Sequence, residues 1–132
     1  VSDCLFCRIV AGEIPADIVL RTDDFVAFRD ISPQAPVHVL VIPVAHHANA
    51  GELADADPML AGRLLATAKD VAASEGLEDY RLVFNTGEGA GQSVFHVHAH
   101  VLGGRSLTWP PGAVWPPSFL HPHLPGRRMP RQ

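Results

Sequence analysis

Phe95-His96-Val97-His98-Ala99-His100-Val101 is the stretch that decides how this chain is read. Apolar residues alternate here with three histidines, and a β-strand sends successive side chains to opposite faces. His96, His98 and His100 therefore share one face, while Val97, Ala99 and Val101 turn the other way, into a core. A half-buried strand that happens to carry histidines is the plain reading, but three in register have no packing rationale. Two chemical readings follow from the spacing: stacked imidazoles as metal ligands, or one imidazole as a nucleophile tuned by its neighbours.

Upstream, Asn85-Thr86-Gly87-Glu88-Gly89-Ala90-Gly91-Gln92-Ser93 is a glycine-rich loop that runs straight into this strand. Such a loop lets backbone N–H groups approach an anion closely, which suits phosphate, with Gln92 and Ser93 as further donors. Val94–Leu102 is predicted as the last strand and Arg81–Asn85 as the one before it. Further out, Asp57-Pro58 offers a helix cap and a first-turn proline. Leu60, Leu64, Leu65, Ala68 and Val71 then keep helical spacing up to Gly76, which predicts one long helix over Pro58–Glu75. Ile18–Arg21, Phe25–Phe28 and Val37–Ile42 are short, β-rich and bounded by turn residues or prolines, so they read as strands. About five strands around one long helix, without βαβ alternation, give an α+β fold with a mainly antiparallel sheet.

The 132 residues suffice for one domain. Ten basic side chains against fourteen acidic ones leave a net charge of −4, which argues against a nucleic-acid binder. With 47% hydrophobic and 18% charged residues, global disorder is excluded as well. No apolar run approaches the roughly 20 residues that span a membrane. The start shows no secretion signal, and the Cys4/Cys7 pair is no disulfide framework, so reduced thiols and a cytoplasmic location are expected. Seven of the twelve prolines fall between Pro110 and Pro130. The expected division is a domain over 1–112 and a proline-rich tail over 113–132, with Trp115, Phe119 and Leu120 as its possible anchors.

Taken together, Gly91–Val101, Asp30-Ile31-Ser32-Pro33-Gln34-Ala35-Pro36, Val41-Ile42-Pro43, Gly103-Gly104-Arg105 and Trp109-Pro110-Pro111-Gly112 resemble the histidine triad (HIT) superfamily. Within it they look nearest to the histidine triad nucleotide-binding proteins, the purine nucleoside phosphoramidase branch, over about residues 3–112. The resemblance implies a short N-terminal helix and a sheet continued across a homodimer. It implies a purine nucleoside monophosphate bearing an amine or acyl leaving group as substrate. His98 would attack the α-phosphorus and form a nucleotidyl-histidine, which water then releases. His100 and His38 would flank it, and Ser93 with the backbone of Gly91 and Gln92 would hold phosphoryl oxygens. Asn85 maps to the phosphate side and Asp30 to the ribose hydroxyls. Leu5, Phe6, Phe28, Ile31 and Leu40 map to the base slot, where plain core is the alternative for each. Dinucleoside polyphosphate hydrolysis is the runner-up activity, and a non-catalytic nucleotide-binding partner is a further alternative. Intact His98, Ser93 and His100 favour catalysis.

Members of the superfamily with matching positions imply a closed structural zinc site on Cys4, Cys7, His46 and His96. His47 is the second choice for the third ligand, and two buried thiols are the alternative to a metal. No catalytic metal is required by this reading; a metal-dependent hydrolase would need a carboxylate near the strand, for which Glu88 is the candidate in the preceding loop. His121-Pro122-His123 imitates the motif but stands in the tail, and is read as a decoy.

Overall fold

The structure, a computed structural model, describes residues 3–111. The expected tail, its anchors Trp115, Phe119 and Leu120, and the His121-Pro122-His123 decoy lie outside the described residues. Strands β1 (Ile18–Arg21), β2 (Phe25–Arg29), β3 (Val37–Pro43), β4 (Tyr80–Val83) and β5 (Ala99–Gly103) form one sheet in the order β1-β2-β3-β5-β4. Every neighbouring pair is antiparallel, as expected from the sequence. Among the described residues three α-helices accompany it: α1 (Leu5–Val10), α2 (Ala50–Ala56) and α3 (Pro58–Ser74).

The alternation in the strands sorts the chain into two apolar layers. On one face Phe25, Ala27, Val39, Val41, Ala99 and Val101 meet Leu60, Leu64, Ala68 and Val71 of α3. On the other, Val26, Phe28, Leu40 and Ile42 pack against Phe6 and Ile9 of α1. The α3 start is as predicted: the Asp57 carboxylate accepts from Leu60 N at 3.0 Å, and Pro58 needs no N–H partner in the first turn. α2 is absent from the sequence expectation. Its stretch AGELADA buries only Leu53 and has no apolar stripe, and the helix stands on the Asn49 cap, whose side chain accepts from Glu52 N at 2.9 Å.

The last strand is shorter than predicted. β5 begins at Ala99, and residues 94–98 run beside the sheet rather than in it. On one side β4 ends at Val83, paired with His100; on the other the chain before Ala99 leaves β3, which runs on past Val41 to Pro43. Val97 N donates to the His47 carbonyl at 2.7 Å instead. The in-and-out order nevertheless persists, since Val97 joins the α3 core. No helix among the described residues is long and apolar enough to cross a membrane.

Candidate functional site

His98, His100 and His38 gather on the α1 side of the sheet. His98 is 8% exposed, and its ring meets Phe6 edge-on at 5.0 Å between centroids. Its Nδ1 lies 2.8 Å from the His96 carbonyl. A carbonyl only accepts, so the proton sits on Nδ1 and Nε2 keeps the lone pair. The His98 and His100 rings are 4.9 Å apart, and those of His100 and His38 are 5.2 Å apart.

One backbone group orders this cluster. The Gln34 N–H donates to His38 Nδ1 at 3.0 Å. Neutral His38 must then carry its proton on Nε2, which stands 2.9 Å from His100 Nδ1 and 3.4 Å from Asp30 Oδ2. His100 Nδ1 accepts, so neutral His100 carries its proton on Nε2. That atom is buried without a partner among the described residues, an N–H held ready for an acceptor. Asp30, His38 and His100 also bring their ligand atoms within 4.8 Å of one another. A cation on His38 Nε2, however, would evict the proton that the Gln34 N–H holds there, so the trio is arranged as a hydrogen-bond chain.

Burial keeps these rings neutral. Desolvation pushes His100 down to about 4, with His98 and His38 adding to the effect and Asp30 opposing it. Desolvation also lowers His98, against the pull of the His96 carbonyl and Asp30. His38 is lowered for the same reason, with Asp30 opposing.

A second cluster lies next to the first. Ligand atoms of Cys4, Cys7, His46 and His96 all fall within 4.8 Å of one another. His96 Nδ1 is 3.4 Å from Cys4 Sγ, 3.5 Å from Cys7 Sγ and 3.2 Å from His46 Nδ1; Cys7 Sγ is 3.4 Å from His46 Nδ1. Bond lengths of ~2.0–2.3 Å around a tetrahedral ion imply ligand separations of roughly 3.3–3.8 Å, so these four donors fit one ion. His96 Nε2 stands 2.8 Å from the Pro43 carbonyl, which places its proton there and turns the Nδ1 lone pair toward the thiols. Of the two adjacent histidines, His46 enters the group, while His47 offers its carbonyl to Val97.

The glycine loop departs from expectation. Gln92 is 2% exposed and wholly engaged: its Oε1 accepts from Gly87 N at 2.9 Å, and Nε2 donates to the Ala48 and Val94 carbonyls at 2.7 and 3.1 Å. Its side chain is thus a brace of the loop and has no hydrogen left for a phosphate. The Gly91 and Gln92 N–H groups are likewise engaged, with Glu88 O and Gly87 O. Gly91 also adopts φ +99°, a conformation few side chains tolerate. Ser93 is exposed, and its hydroxyl and N–H have no partner among the described residues.

Asp30 closes the site on another side, its Oδ1 accepting from Ser32 N at 2.7 Å. Of the expected base slot, Phe6, Phe28 and Leu40 are buried together in the α1 layer. Leu5 is 42% exposed, and Ile31, at 96%, stands clear of the packing. From His38 and His100 a cleft of about 950 Å³ runs along β4, lined among others by Gln34, Asn85 and Trp109. Sequence reasoning missed two participants: Arg81, also on its wall, and the Gln34 N–H, a main-chain group that no residue type announces.

Over residues 11–107 the chain matches the HIT domain family. It belongs to that family. An uncharacterized HIT-like protein of Synechococcus elongatus is 56% identical over 112 residues, 84% of this chain and 98% of that protein. Among solved structures, a HIT family hydrolase from Legionella pneumophila is 52% identical with a TM-score of 0.80, covering 83% of this chain and 100% of the other. A histidine triad nucleotide-binding protein from Candida albicans is 30% identical with a TM-score of 0.70, over 90% and 92% of the two chains. The HIT fold expected from the motifs is therefore the fold observed.

Proposed function

We propose that this HIT protein is a hydrolase of the purine nucleoside phosphoramidase type, cleaving the bond between the α-phosphorus of a nucleoside monophosphate and an amine or acyl group. The observation that carries this reading is the His98 Nε2 lone pair one ring away from a His100 N–H that has no partner among the described residues. One is a nucleophile, and the other is a donor for the oxygen on which charge develops.

In the first half-reaction the His98 Nε2 lone pair forms a bond to phosphorus. The bond from phosphorus to the leaving group breaks, and its electron pair departs with that group, which takes a proton from water through the Ser93 hydroxyl. In the second half, water attacks phosphorus and gives up a proton. The P–Nε2 bond breaks, its pair returns to the imidazole, and the nucleoside monophosphate leaves. His38 holds His100 in the donating tautomer. Asn85, Gly91 and Ser93 border the phosphate, and Asp30 accepts from the ribose hydroxyls. Gln92 serves by shaping the loop. Phe6, Phe28 and Leu40 back the base, with Leu5 and Ile31 at its open rim.

The Cys4, Cys7, His46 and His96 donors suit zinc, which would tie the start of α1 to the segment after β3 and supply structure rather than chemistry. The open backbone edge of β4 suits continuation of the sheet into a second copy, forming a homodimer. Cytoplasmic residence fits the two unbridged thiols.

The test is His98→Ala. Folding and nucleotide binding should survive while turnover of an adenosine phosphoramidate falls by several orders of magnitude. Rapid quenching of the native protein should trap a nucleotide on His98. Near-native kcat in the alanine variant refutes the covalent route.

A further inference from the structure

Arg81 has no role in the chemistry above, yet it shares a face with the histidines. On β4 it pairs with Leu102, which on β5 pairs with His38 of β3. The adjacent row runs Val83, His100, Leu40, Phe28. Leu82, between Arg81 and Val83, turns into the α3 core, so the arginine is committed by register to the side where the site opens.

Three observations give this residue a ligand-facing character. Arg81 is half-buried and makes no side-chain hydrogen bond or ion pair among the described residues. The cleft it lines together with His38, Asn85 and His100 contains a second arginine, Arg105, and no carboxylate among its described lining residues. Arg105 is already engaged, donating to the Gln34 and Ser106 carbonyls at 2.9 and 2.8 Å. Glu78 and Asp79 line a neighbouring cleft that Arg81 also borders, but neither forms an ion pair with it. A guanidinium left uncompensated in a concave, partly dry wall favours an anion there, because solvent screening is reduced.

We propose that Arg81 is a specificity-determining residue that selects leaving groups carrying negative charge, a carboxylate or a further phosphate, over neutral or cationic ones. This rests on the hydrolase reading, since it assigns the β4 side of the cleft to the group departing from phosphorus. Arg81 stands diagonally from His100 on the edge strand, on the side away from Leu40 and Phe28, so a group departing from the base side would extend toward it. If a second copy pairs with the β4 edge, it does so through backbone groups in the sheet plane and leaves this side chain standing off the face.

The experiment uses three adenosine 5′-phosphoramidates with the same P–N bond: those of β-alanine, propylamine and 1,3-diaminopropane. In the native protein kcat/KM should fall in that order, by about five- to tenfold from the first to the last, as expected of one partly screened charge contact. Arg81→Met should bring the ratio near one, Arg81→Glu should invert it, and Arg81→Lys should retain most of it. An equal ratio in the native protein and Arg81→Met overturns the assignment, as does a collapse of the ratio in Arg81→Lys. Binding of the three conjugates is measured in parallel by calorimetry. If none is turned over, the hydrolase reading falls, and the affinity order with its response to Arg81→Met then decides the charge preference separately.

Discussion

Truncating Gln92 to alanine separates a loop brace from a ligand contact. The side chain makes three hydrogen bonds, with Gly87 N, Ala48 O and Val94 O, at 2.9, 2.7 and 3.1 Å, and it is 2% exposed. Each such bond contributes about 0.5–1.5 kcal/mol net, and a buried group left without a partner costs about 1–3 kcal/mol. Water can reach some of the three after truncation, so a loss of about 3 kcal/mol is expected. With an unfolding entropy of ~2.1 cal/mol/K per residue, that lowers Tm by roughly 10 °C, well within the stability of an ordinary domain. Gln92→Glu should lose about as much, because its carboxylate keeps the Gly87 contact but faces two carbonyls it cannot satisfy. The assay is chemical denaturation of the three proteins, alongside KM for an adenosine phosphoramidate. A cost below 0.5 kcal/mol joined to a large rise in KM would refute the reasoning and return Gln92 to the phosphate.

Cys4→Ser should remove a bound metal, seen by elemental analysis, and lower Tm more than kcat. Serine can still cap α1 as the Cys4 Sγ does for Cys7 N at 3.3 Å, so the change isolates the ion from the cap. The pH dependence of stability follows from the buried histidines: burial pushes His100 from its ordinary 6.5 down to about 4 and lowers His98 and His38 with it. Between those values the unfolded chain takes up a proton that the folded one refuses, so stability should fall as pH drops from about 6.5 to about 4, and be flat above. Denaturation midpoints across that window should show it, and His100→Asn should lessen the slope without abolishing it, because buried His98 and His38 remain.

Much of this was legible because side-chain type and periodicity carry it. The alternation through Val97, Ala99 and Val101 does separate core from site, and Asp57-Pro58 does open the long helix. Cys4, Cys7, His46 and His96, dispersed over more than ninety positions, do converge. What stayed hidden depends on neighbours rather than on residue type. An amide such as Gln92 looks the same whether it faces a phosphate or three main-chain groups. Where a strand starts is set by its pairing, and β5 starts at Ala99 although the alternation of residue types runs on upstream of it. The tautomers of His38 and His100 hang on the Gln34 N–H, and every residue but proline owns one.

The interleaving of core and site along 96–101 has an evolutionary consequence. Substitutions here can be graded one at a time, but insertions cannot. One added residue after His98 would shift the phase of everything upstream against β5, offering His98 and His96 to the α3 layer and Val97 to the site. Stability and chemistry would then be lost in a single event, with no viable intermediate between the two registers. Variation in chain length among relatives should accordingly be found in the glycine loop or after β5, and be missing between His96 and Val101.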